Sequence, residues 1–258
     1  MKEMLPVIAR YSIVGDREYQ QDLCAYAENG GLLLAVLCDG MGGMEGGEKA
    51  AEAGVSTMLG LFQSMPPAGI GEAAAWMRAA FEAADASVAS LRGENGSPMN
   101  AGSTAIAVMI EEGRMQWGCV GDSRIYLMRG GVLSTVTRMH NYNLRLDEML
   151  REGVISPEEM ERESVRGEAL ISFLGIGGLP IADTGTEPLP LYPEDVIILC
   201  SDGLYKSMDD QQIQAVIEES GGNVELMVRR LADHALRLAT GKQDNTTVMA
   251  VRILSGSR

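Results

Sequence analysis

Six short segments rich in apolar and β-branched residues, each bounded by glycine or charge, constrain the fold of this chain most strongly. Segments of this length and composition are typical of buried β-strands. The short turns "EEG" and "GDS" join three of them, which favours antiparallel hairpins over a doubly wound parallel sheet. The six predicted strands lie at 32–38, 104–110, 114–120, 124–130, 195–200 and 245–253.

Helical periodicity marks two further stretches of the sequence. Apolar residues recur at helical spacing over 71–92 and over 221–240, where Asn223 is a predicted N-cap. The alanine-rich segment from about 47 predicts another helix. Because strands and helices occur in blocks rather than in strict alternation, the sequence predicts a layered α+β fold.

A charged stretch interrupts the strand pattern at about 138–178. It predicts a short helix and then a second one with a capping box, in which Ser156 is the N-cap, Pro157 the first helical residue and Glu159 the third. Helical insertions between strands often act as mobile flaps. Since no internal repeat or low-complexity linker divides the chain, we expect one domain over residues 1–258 with a flap at about 138–178.

Charge and cysteine usage limit the partners and the compartment. The formal net charge is -15, so we expect no binding to nucleic acid or to an anionic membrane. The amino terminus has no apolar signal core and no apolar run approaches the roughly 20 residues of a bilayer span, which predicts a cytoplasmic protein. Cys24, Cys38, Cys119 and Cys200 show no C-x-x-C spacing and are expected to be reduced core residues.

Three aspartates stand at the ends of predicted strands and are the strongest chemical signal. Asp39 and Asp202 each follow an apolar run, and Asp244 opens the last strand. If these strand ends converge, the carboxylates would repel one another unless a divalent cation joined them, and oxygen ligands without His or Cys suit Mg²⁺ or Mn²⁺ better than zinc. The alternative is that each Asp-Gly pair is only a turn, since that dipeptide is common in turns.

Other catalytic patterns are incomplete. Glu45 stands where a dinucleotide fingerprint needs glycine, and Glu48 stands where a Walker A loop needs lysine. The chain has two histidines, His140 and His234, and no G-x-S-x-G, which argues against a Ser-His-Asp hydrolase. His234 lies in a predicted helix, and we expect it to be structural or to face solvent.

Taken in order, six motifs resemble the metal-dependent PP2C (PPM) protein phosphatases, and the bacterial stand-alone members most. The resemblance extends over essentially the whole chain. The motifs are "R-x-x-x-QD" at 17–22, "DGMGG-x-x-GG-x-x-A" from 39, "AGSTA" at 101–105, "GDSRIYL" at 121–127, "SDGL" at 201–204 and "DNTT" at 244–247.

The resemblance implies a four-layer α/β/β/α sandwich, with two central antiparallel sheets flanked by helices and a helical flap. It also implies two Mn²⁺ or Mg²⁺ ions that activate a water for attack on phosphoserine or phosphothreonine in proteins. The substrates are expected to be those of a bacterial Ser/Thr kinase, and the protein is expected to act as a monomer. By the family pattern, Arg17 grips the substrate phosphate, Asp39 bridges the ions, the Gly40 carbonyl ligates one ion, Asp202 and Asp244 hold the other, and Asp22 supports the site directly or through water.

Three positions depart from the family pattern. Gln21 replaces a common glutamate, and Met41 stands where many eukaryotic members have a histidine proposed as general acid. Lys206 stands where many members have an aspartate that holds a third ion together with Asp122. Because a lysine repels a cation, we expect the third ion to bind weakly or not at all, and Asp122 to brace a hairpin turn.

Two functions of other classes, and one narrower substrate class, remain open from the sequence. Gln21 and Lys206 leave room for a phosphoprotein-binding pseudophosphatase with little or no turnover. An anion- or nucleotide-binding module at the helix start after the glycine loop would bind its ligand without metal. With the same chemistry, the substrate could instead be a phosphorylated regulator of the anti-anti-sigma type.

Overall fold

The structure is a computed structural model that describes residues 4–42 and 46–256. In chain order the strands are β1 (Met4–Ile13), β2 (Asp22–Asn29), β3 (Leu32–Gly42), β4 (Ala101–Ser103), β5 (Ala105–Glu111), β6 (Arg114–Val120), β7 (Arg124–Arg129), β8 (Val132–Thr135), β9 (Asp183–Thr184), β10 (Leu189–Pro190), β11 (Val196–Cys200) and β12 (Thr246–Ser255). The α-helices are α1 (Gly46–Ser64), α2 (Ala73–Ala89), α3 (Tyr142–Arg151), α4 (Pro157–Glu163), α5 (Asp202–Tyr205), α6 (Asp210–Glu219) and α7 (Val224–Leu238).

Two antiparallel sheets form the centre of the molecule. One has the strand order β1-β12-β11-β7-β8, and the other has the order β10-β6-β5-β3-β2, with β4 beside β3 and β9 beside β6. Helices α1 and α2 pack on the outer face of the second sheet, and α6 and α7 pack on the outer face of the first. A third apolar cluster fills the space between the sheets. The predicted four-layer α/β/β/α sandwich is confirmed.

Strand β3 shows how the sequence builds these layers. Its side chains alternate between two cores: Leu33 and Leu37 lie between the sheets, whereas Leu34 and Cys38 pack against the helices α1 and α2. Both faces are covered, which explains why the strand reads as an unbroken apolar run. Asp39 follows Leu37 by two residues, so the strand period places its side chain on the inter-sheet face.

The six predicted strands are present as β3, β5, β6, β7, β11 and β12, whereas the other six strands were not predicted, including the long strands β1 and β2. Each of these two strands has exposed residues alternating along its length, so its composition is mixed rather than apolar. The predicted helices are also present, and the Asn223 side chain caps α7 by accepting a hydrogen bond from the Leu226 N–H at 3.0 Å. All four cysteines are buried and free. Among residues 4–42 and 46–256, no helix has the length and apolar content that a bilayer crossing demands.

The turn at 121–123 is not a hairpin, and that prediction was wrong. Strands β6 and β7 on either side of it belong to different sheets, and the "GDS" segment crosses from one sheet to the other. Gly121 has φ of +100° and packs against Thr104. The Ser123 and Thr104 hydroxyls lie 2.7 Å apart. The "EEG" turn does form a hairpin, since β5 pairs with β6.

The predicted flap contains α3 and α4 and lies between β8 and β9. Both bonds of the predicted capping box are present: the Glu159 N–H donates to the Ser156 hydroxyl, and the Glu159 carboxylate accepts from the Ser156 N–H. After α4 the flap returns to the second sheet near β4, where Leu174 and Ser103 exchange backbone hydrogen bonds at 3.1 and 2.7 Å.

Candidate metal centre

Asp22 and Asp39 are direct cross-strand neighbours at the end of the inter-sheet core. They are paired in the β2–β3 register, and Asp22 shares its face with Cys24 of the inter-sheet cluster. Side chains opposite each other in such a pair have Cβ atoms about 5 Å apart, and like charges there are destabilising. The two carboxyl groups are therefore held together by the register of the sheet.

The backbone of Asp39 is fixed on the side away from β2. Its N–H donates to the Thr104 hydroxyl at 3.1 Å, and its carbonyl accepts the Thr104 N–H at 2.8 Å. The Ser103 hydroxyl also donates to that carbonyl, at 3.0 Å. Asp39 lies inside β3 rather than beyond its end, since Gly40 and Gly42 go on to pair with β4. Sequence reasoning missed the contribution of Thr104.

Gly40 is needed for close packing rather than for a turn. A Cβ at this position would lie 2.0 Å from the Gly47 carbonyl oxygen and 2.6 Å from the Gln21 carbonyl oxygen. The start of α1 and the segment before β2 can approach Asp39 only because residue 40 has no side chain. The glycines that follow Asp39 also predict a sharp turn of the backbone, and part of that segment, 43–45, lies outside the described residues.

Asp202 and Asp244 reach the same place from the other sheet. Asp202 follows β11 and is the first residue of α5, and Asp244 precedes β12. Each is paired with a cation: the Lys206 ammonium is 2.6 Å from Asp202 Oδ2, and an Arg17 guanidinium nitrogen is 2.5 Å from Asp244 Oδ2. Each of these two carboxylates is thus paired with a cationic side chain.

A cavity of about 280 Å³ brings the predicted residues together. Asp122, in the crossing turn, also lines it, and Asp22 lies behind the wall beside Asp39. A slightly larger cavity, of about 350 Å³ beside Met4 and Gly113, contains none of the predicted residues. The residues that line the predicted site are Arg17, Gln21, Asp39, Gly40, Met41, Gly42, Thr104, Asp122, Glu168, Leu170, Asp202, Lys206, Asp244 and Asn245.

Comparison with known proteins identifies the family. A family profile described as "Protein phosphatase 2C" matches residues 12–238. The chain belongs to the protein phosphatase 2C family.

Individual members of the protein phosphatase 2C family are similar over nearly the whole chain. The serine/threonine phosphatase stp of Listeria monocytogenes is 27% identical over 87% of this chain and 88% of its own. The catalytic domain of the serine/threonine protein phosphatase PstP, solved in complex with two manganese ions, is 26% identical over 97% of this chain and 99% of its own, with a TM-score of 0.75. The S. agalactiae serine/threonine phosphatase has the same fold, with a TM-score of 0.82 over 96% of this chain and 99% of its own at 24% identity.

The electrostatics of this phosphatase-family site disfavour charge on the buried carboxyls. Burial raises the pKa of Asp22 to about 7, although the Ser201 hydroxyl, which donates to Asp22 Oδ2 at 2.7 Å, works in the opposite direction. Burial, followed by the charges of Asp22 and Asp202, raises the pKa of Asp39 well above its usual range. Burial and the Asp202 charge raise the pKa of Asp122. A cation placed among these groups would favour their ionised forms.

The residues present fit divalent oxygen-ligated ions in their chemistry. Asp22 Oδ1 is buried and has no hydrogen-bond partner, which is costly unless another group satisfies it. The surrounding donors are carboxylate and carbonyl oxygens, the set that Mg²⁺ and Mn²⁺ prefer. In the described ranges, no three carboxylate, imidazole or thiol groups form a metal-ligating cluster. Lys206 contacts Oδ2 of Asp202 and Arg17 contacts Oδ2 of Asp244, so an ion that bound these same oxygens would displace the two cationic side chains.

Asn245 was missed by sequence reasoning and positions the Arg17 loop. Its Oδ1 accepts the Gln21 N–H at 2.8 Å, and its Nδ2 donates to the carbonyls of Val14 and Tyr19 at 2.8 and 3.0 Å. One side chain thus ties down both ends of the segment that carries Arg17. Its place beside Asp244 in the "DNTT" motif was the available signal.

Ser201 was also missed, although it directly precedes Asp202 in "SDGL". Its hydroxyl accepts the Thr247 N–H at 2.9 Å while donating to Asp22, so it connects the two sheets beneath the cavity. Ser201 could have been found from the alternation of side chains along a strand, which places it on the same face as the inter-sheet residue Leu199.

His140 supports the crossing turn from the base of the flap. It is fully buried, its Nδ1 accepts the Gly121 N–H at 3.2 Å, and its Nε2 lies 3.1 Å from Asp183 Oδ2. Burial lowers the pKa of His140 despite the Asp183 carboxylate. His234 lies on α7, where its Nδ1 is 2.8 Å from the carbonyl oxygen of Arg230.

Proposed function

We propose that this protein is a metal-dependent phosphatase that hydrolyses phosphoserine and phosphothreonine in proteins. The observation that carries the proposal is the meeting of four aspartates from both sheets, Asp22, Asp39, Asp202 and Asp244, around one cavity that Arg17 also lines. The buried, unpartnered Asp22 Oδ1 supports a cation at this place. The names of the bacterial relatives support a serine/threonine phosphatase activity.

We assign the ligands of two Mn²⁺ or Mg²⁺ ions as follows. Asp39 would contact both ions, the Gly40 carbonyl one of them, and Asp202 and Asp244 the other, with Asp22 behind Asp39 as a direct or water-mediated support. Two such ions would make a bound water acidic enough to attack at neutral pH and would offset charge on the phosphoryl oxygens.

Arg17 supplies the phosphate-recognition group. A guanidinium matches phosphate oxygens with paired donors, and this one is 57% exposed at the rim of the cavity. Its guanidinium is bound to Asp244, so an ion on Asp244 and a substrate phosphate would both favour movement of the Arg17 side chain away from that carboxylate. Arg17 and Asp39 are therefore the residues we assign to catalysis.

The finer features of the proposal concern the third ion and the cellular setting. Lys206 and Asp122 line the same cavity, which supports a weak or absent third ion. We propose a single domain over residues 1–258, acting as a cytoplasmic monomer on the targets of a bacterial Ser/Thr kinase. The net charge of -15 supports protein substrates rather than nucleic acid or anionic membranes as partners.

The deciding experiment is hydrolysis of a phosphothreonine peptide with Mn²⁺, with Mg²⁺ and with EDTA. Wild type should turn over only with metal. The turnover rate of Asp39→Asn should be lower by about 10³-fold or more, because several kcal/mol of charge stabilisation depend on ions that Asp39 would hold. The control is Asp147→Asn, the same substitution at an exposed position of α3, which should retain wild-type turnover.

The alternatives give different results in the same assay. Metal binding without turnover would identify a pseudophosphatase. Phosphopeptide binding that persists in EDTA, again without turnover, would identify a metal-independent anion-binding module. Turnover that is indifferent to EDTA would contradict the two-ion mechanism.

A further inference from the structure

Lys206 stands on the boundary between two adjoining cavities. The cavity of about 280 Å³ at the carboxylates and a neighbouring one of about 300 Å³ share the side chains of Asp122, Glu168 and Lys206. Glu168 belongs to the flap, and Lys206 directly follows α5. An ammonium at this place can therefore reach groups in either cavity.

The ammonium has one close partner and one loose partner. Its Nζ lies 2.6 Å from Asp202 Oδ2 and 4.0 Å from Glu168 Oε2. The Glu168 side chain is 81% exposed, so its attraction is weakened by solvent. Asp202 is much less exposed, at 15%, and is the closer partner of the ammonium.

Asp202 cannot keep both cations close at the same oxygen. We have assigned it as an ion ligand, and a divalent ion at its carboxylate would repel the ammonium 2.6 Å away. The released lysine has three donors, lies beside the cavity where the phosphoryl group would bind, and keeps Asp122 and the exposed Glu168 as anionic neighbours. A phosphoryl group is the stronger partner, because it carries more negative charge and more acceptor oxygens than a single carboxylate.

We propose that Lys206 is a substrate-binding residue that occupies Asp202 in the absence of divalent ions and binds the phosphoryl group of the substrate once an ion takes Asp202, with the flap residue Glu168 competing for it. This inference rests on the proposed phosphatase function. It gives the lysine two measurable effects: it weakens ion binding and strengthens phosphate binding.

The first test measures Mn²⁺ affinity by titration calorimetry, without any turnover. Lys206→Met keeps the apolar stem and removes the charge, and it should bind Mn²⁺ about tenfold more tightly than wild type because the competitor is gone. The control is Arg114→Met, which also removes a positive charge. Arg114 lies at the start of β6, roughly 20 Å along the strand from the end that leads to Asp122. Unchanged Mn²⁺ affinity in Lys206→Met would overturn the competition between lysine and ion.

The second test measures phosphate binding to the Mn²⁺-saturated protein. Inorganic phosphate should bind about tenfold more weakly to Lys206→Met than to wild type, and Lys206→Arg should recover most of the loss. Glu168→Gln, which removes the competing anion, should bind phosphate about twofold more tightly. Equal phosphate affinity in wild type and Lys206→Met would overturn the proposal.

Kinetics then locate the contact on the substrate. If Lys206 binds the phosphoryl group, Lys206→Met should raise KM by a similar factor for a phosphothreonine peptide and for p-nitrophenyl phosphate, with a smaller change in kcat. A KM increase confined to the peptide would contradict the phosphoryl assignment. If wild type shows no turnover, the proposed function fails, whereas the two calorimetric tests still decide the role of Lys206.

Discussion

Buried carboxylates occur in two regions of this protein, and they differ in what surrounds them. Asp85 on α2 accepts backbone N–H groups from Gly175, Gly177 and Gly178 at 2.7, 3.2 and 2.6 Å. Asp195 accepts a forked pair of bonds from the Arg129 guanidinium, with Nε at 3.0 Å and an NH2 nitrogen at 2.7 Å. Both groups have their charge compensated by the chain itself.

The carboxyls on the cavity side are compensated only in part. Asp22 receives one hydroxyl and leaves Oδ1 without a partner, and its cross-strand neighbour is another carboxyl, Asp39. All of Asp22, Asp85 and Asp195 are under a tenth exposed, so burial alone does not separate them. The number of donors around each group does. The compensated carboxylates Asp85 and Asp195 hold the fold together, whereas Asp22 beside the cavity keeps one oxygen available to a ligand.

Removing the partner of a compensated carboxylate should have the largest effect on folding. Arg129→Met leaves Asp195 buried without its guanidinium and should lower the free energy of unfolding by about 2 to 3 kcal/mol, less than for a fully buried pair because the Arg129 side chain is 38% exposed. Urea unfolding measures this. Arg145→Met, which breaks the exposed 3.9 Å pair with Glu148, should cost less than about 0.5 kcal/mol. Equal losses in the two variants would remove the distinction.

Changing Asp85 should have a somewhat smaller and more local effect. Asp85→Asn keeps one carbonyl acceptor but places an amide NH2 against backbone donors. We therefore expect the free energy of unfolding to fall by about 2 kcal/mol. Amide hydrogen exchange should accelerate at residues 175–178, where Gly175 and Gly178 have φ of +98° and +122° and depend on these bonds. Exchange that stays slow there would show that other contacts hold the loop.

Neutralising Asp22 should raise the free energy of unfolding rather than lower it, and by the smallest amount of the three changes. The pKa of Asp22 is raised to about 7, so the native state binds more protons than the unfolded chain between about pH 4 and pH 7. Stability of the metal-free protein therefore falls as the pH rises through this range. Asp22→Asn does not titrate and should be more stable than wild type by about 1 kcal/mol at pH 8, with a smaller difference at pH 5. Destabilisation at pH 8 would contradict this.

The sequence predicted the elements whose environment is simple. The run from Leu32 to Cys38 is covered on both faces and reads as a strand, whereas β1 has one solvated face and was missed. The turn containing Asp122 was misassigned as a hairpin because the residues of a turn specify its local geometry and not the sheet that the next strand joins.

The sequence predicted the acidic residues of the candidate site but not the side chains that contact them. Asp39, Asp202 and Asp244 carry motif context, and their meeting follows from strand ends on one side of the sandwich. The contact between Lys206 and Glu168 joins the segment after α5 to the flap, and the bond from Ser201 to Asp22 joins the two sheets. Such long-range pairs depend on tertiary packing, which no local pattern encodes.

The most direct test of the account is thermal unfolding at pH 8 with and without Mn²⁺. Mn²⁺ at 100 times its Kd stabilises the folded state by about 2.7 kcal/mol. The Tm of wild type should therefore rise by several degrees, and the Tm of Asp85→Asn should rise by the same amount. Asp39→Asn, which lacks an assigned ligand, should gain far less. No rise in wild type, or an equal rise in Asp39→Asn, would contradict the claim that the carboxyls around the cavity form a metal centre.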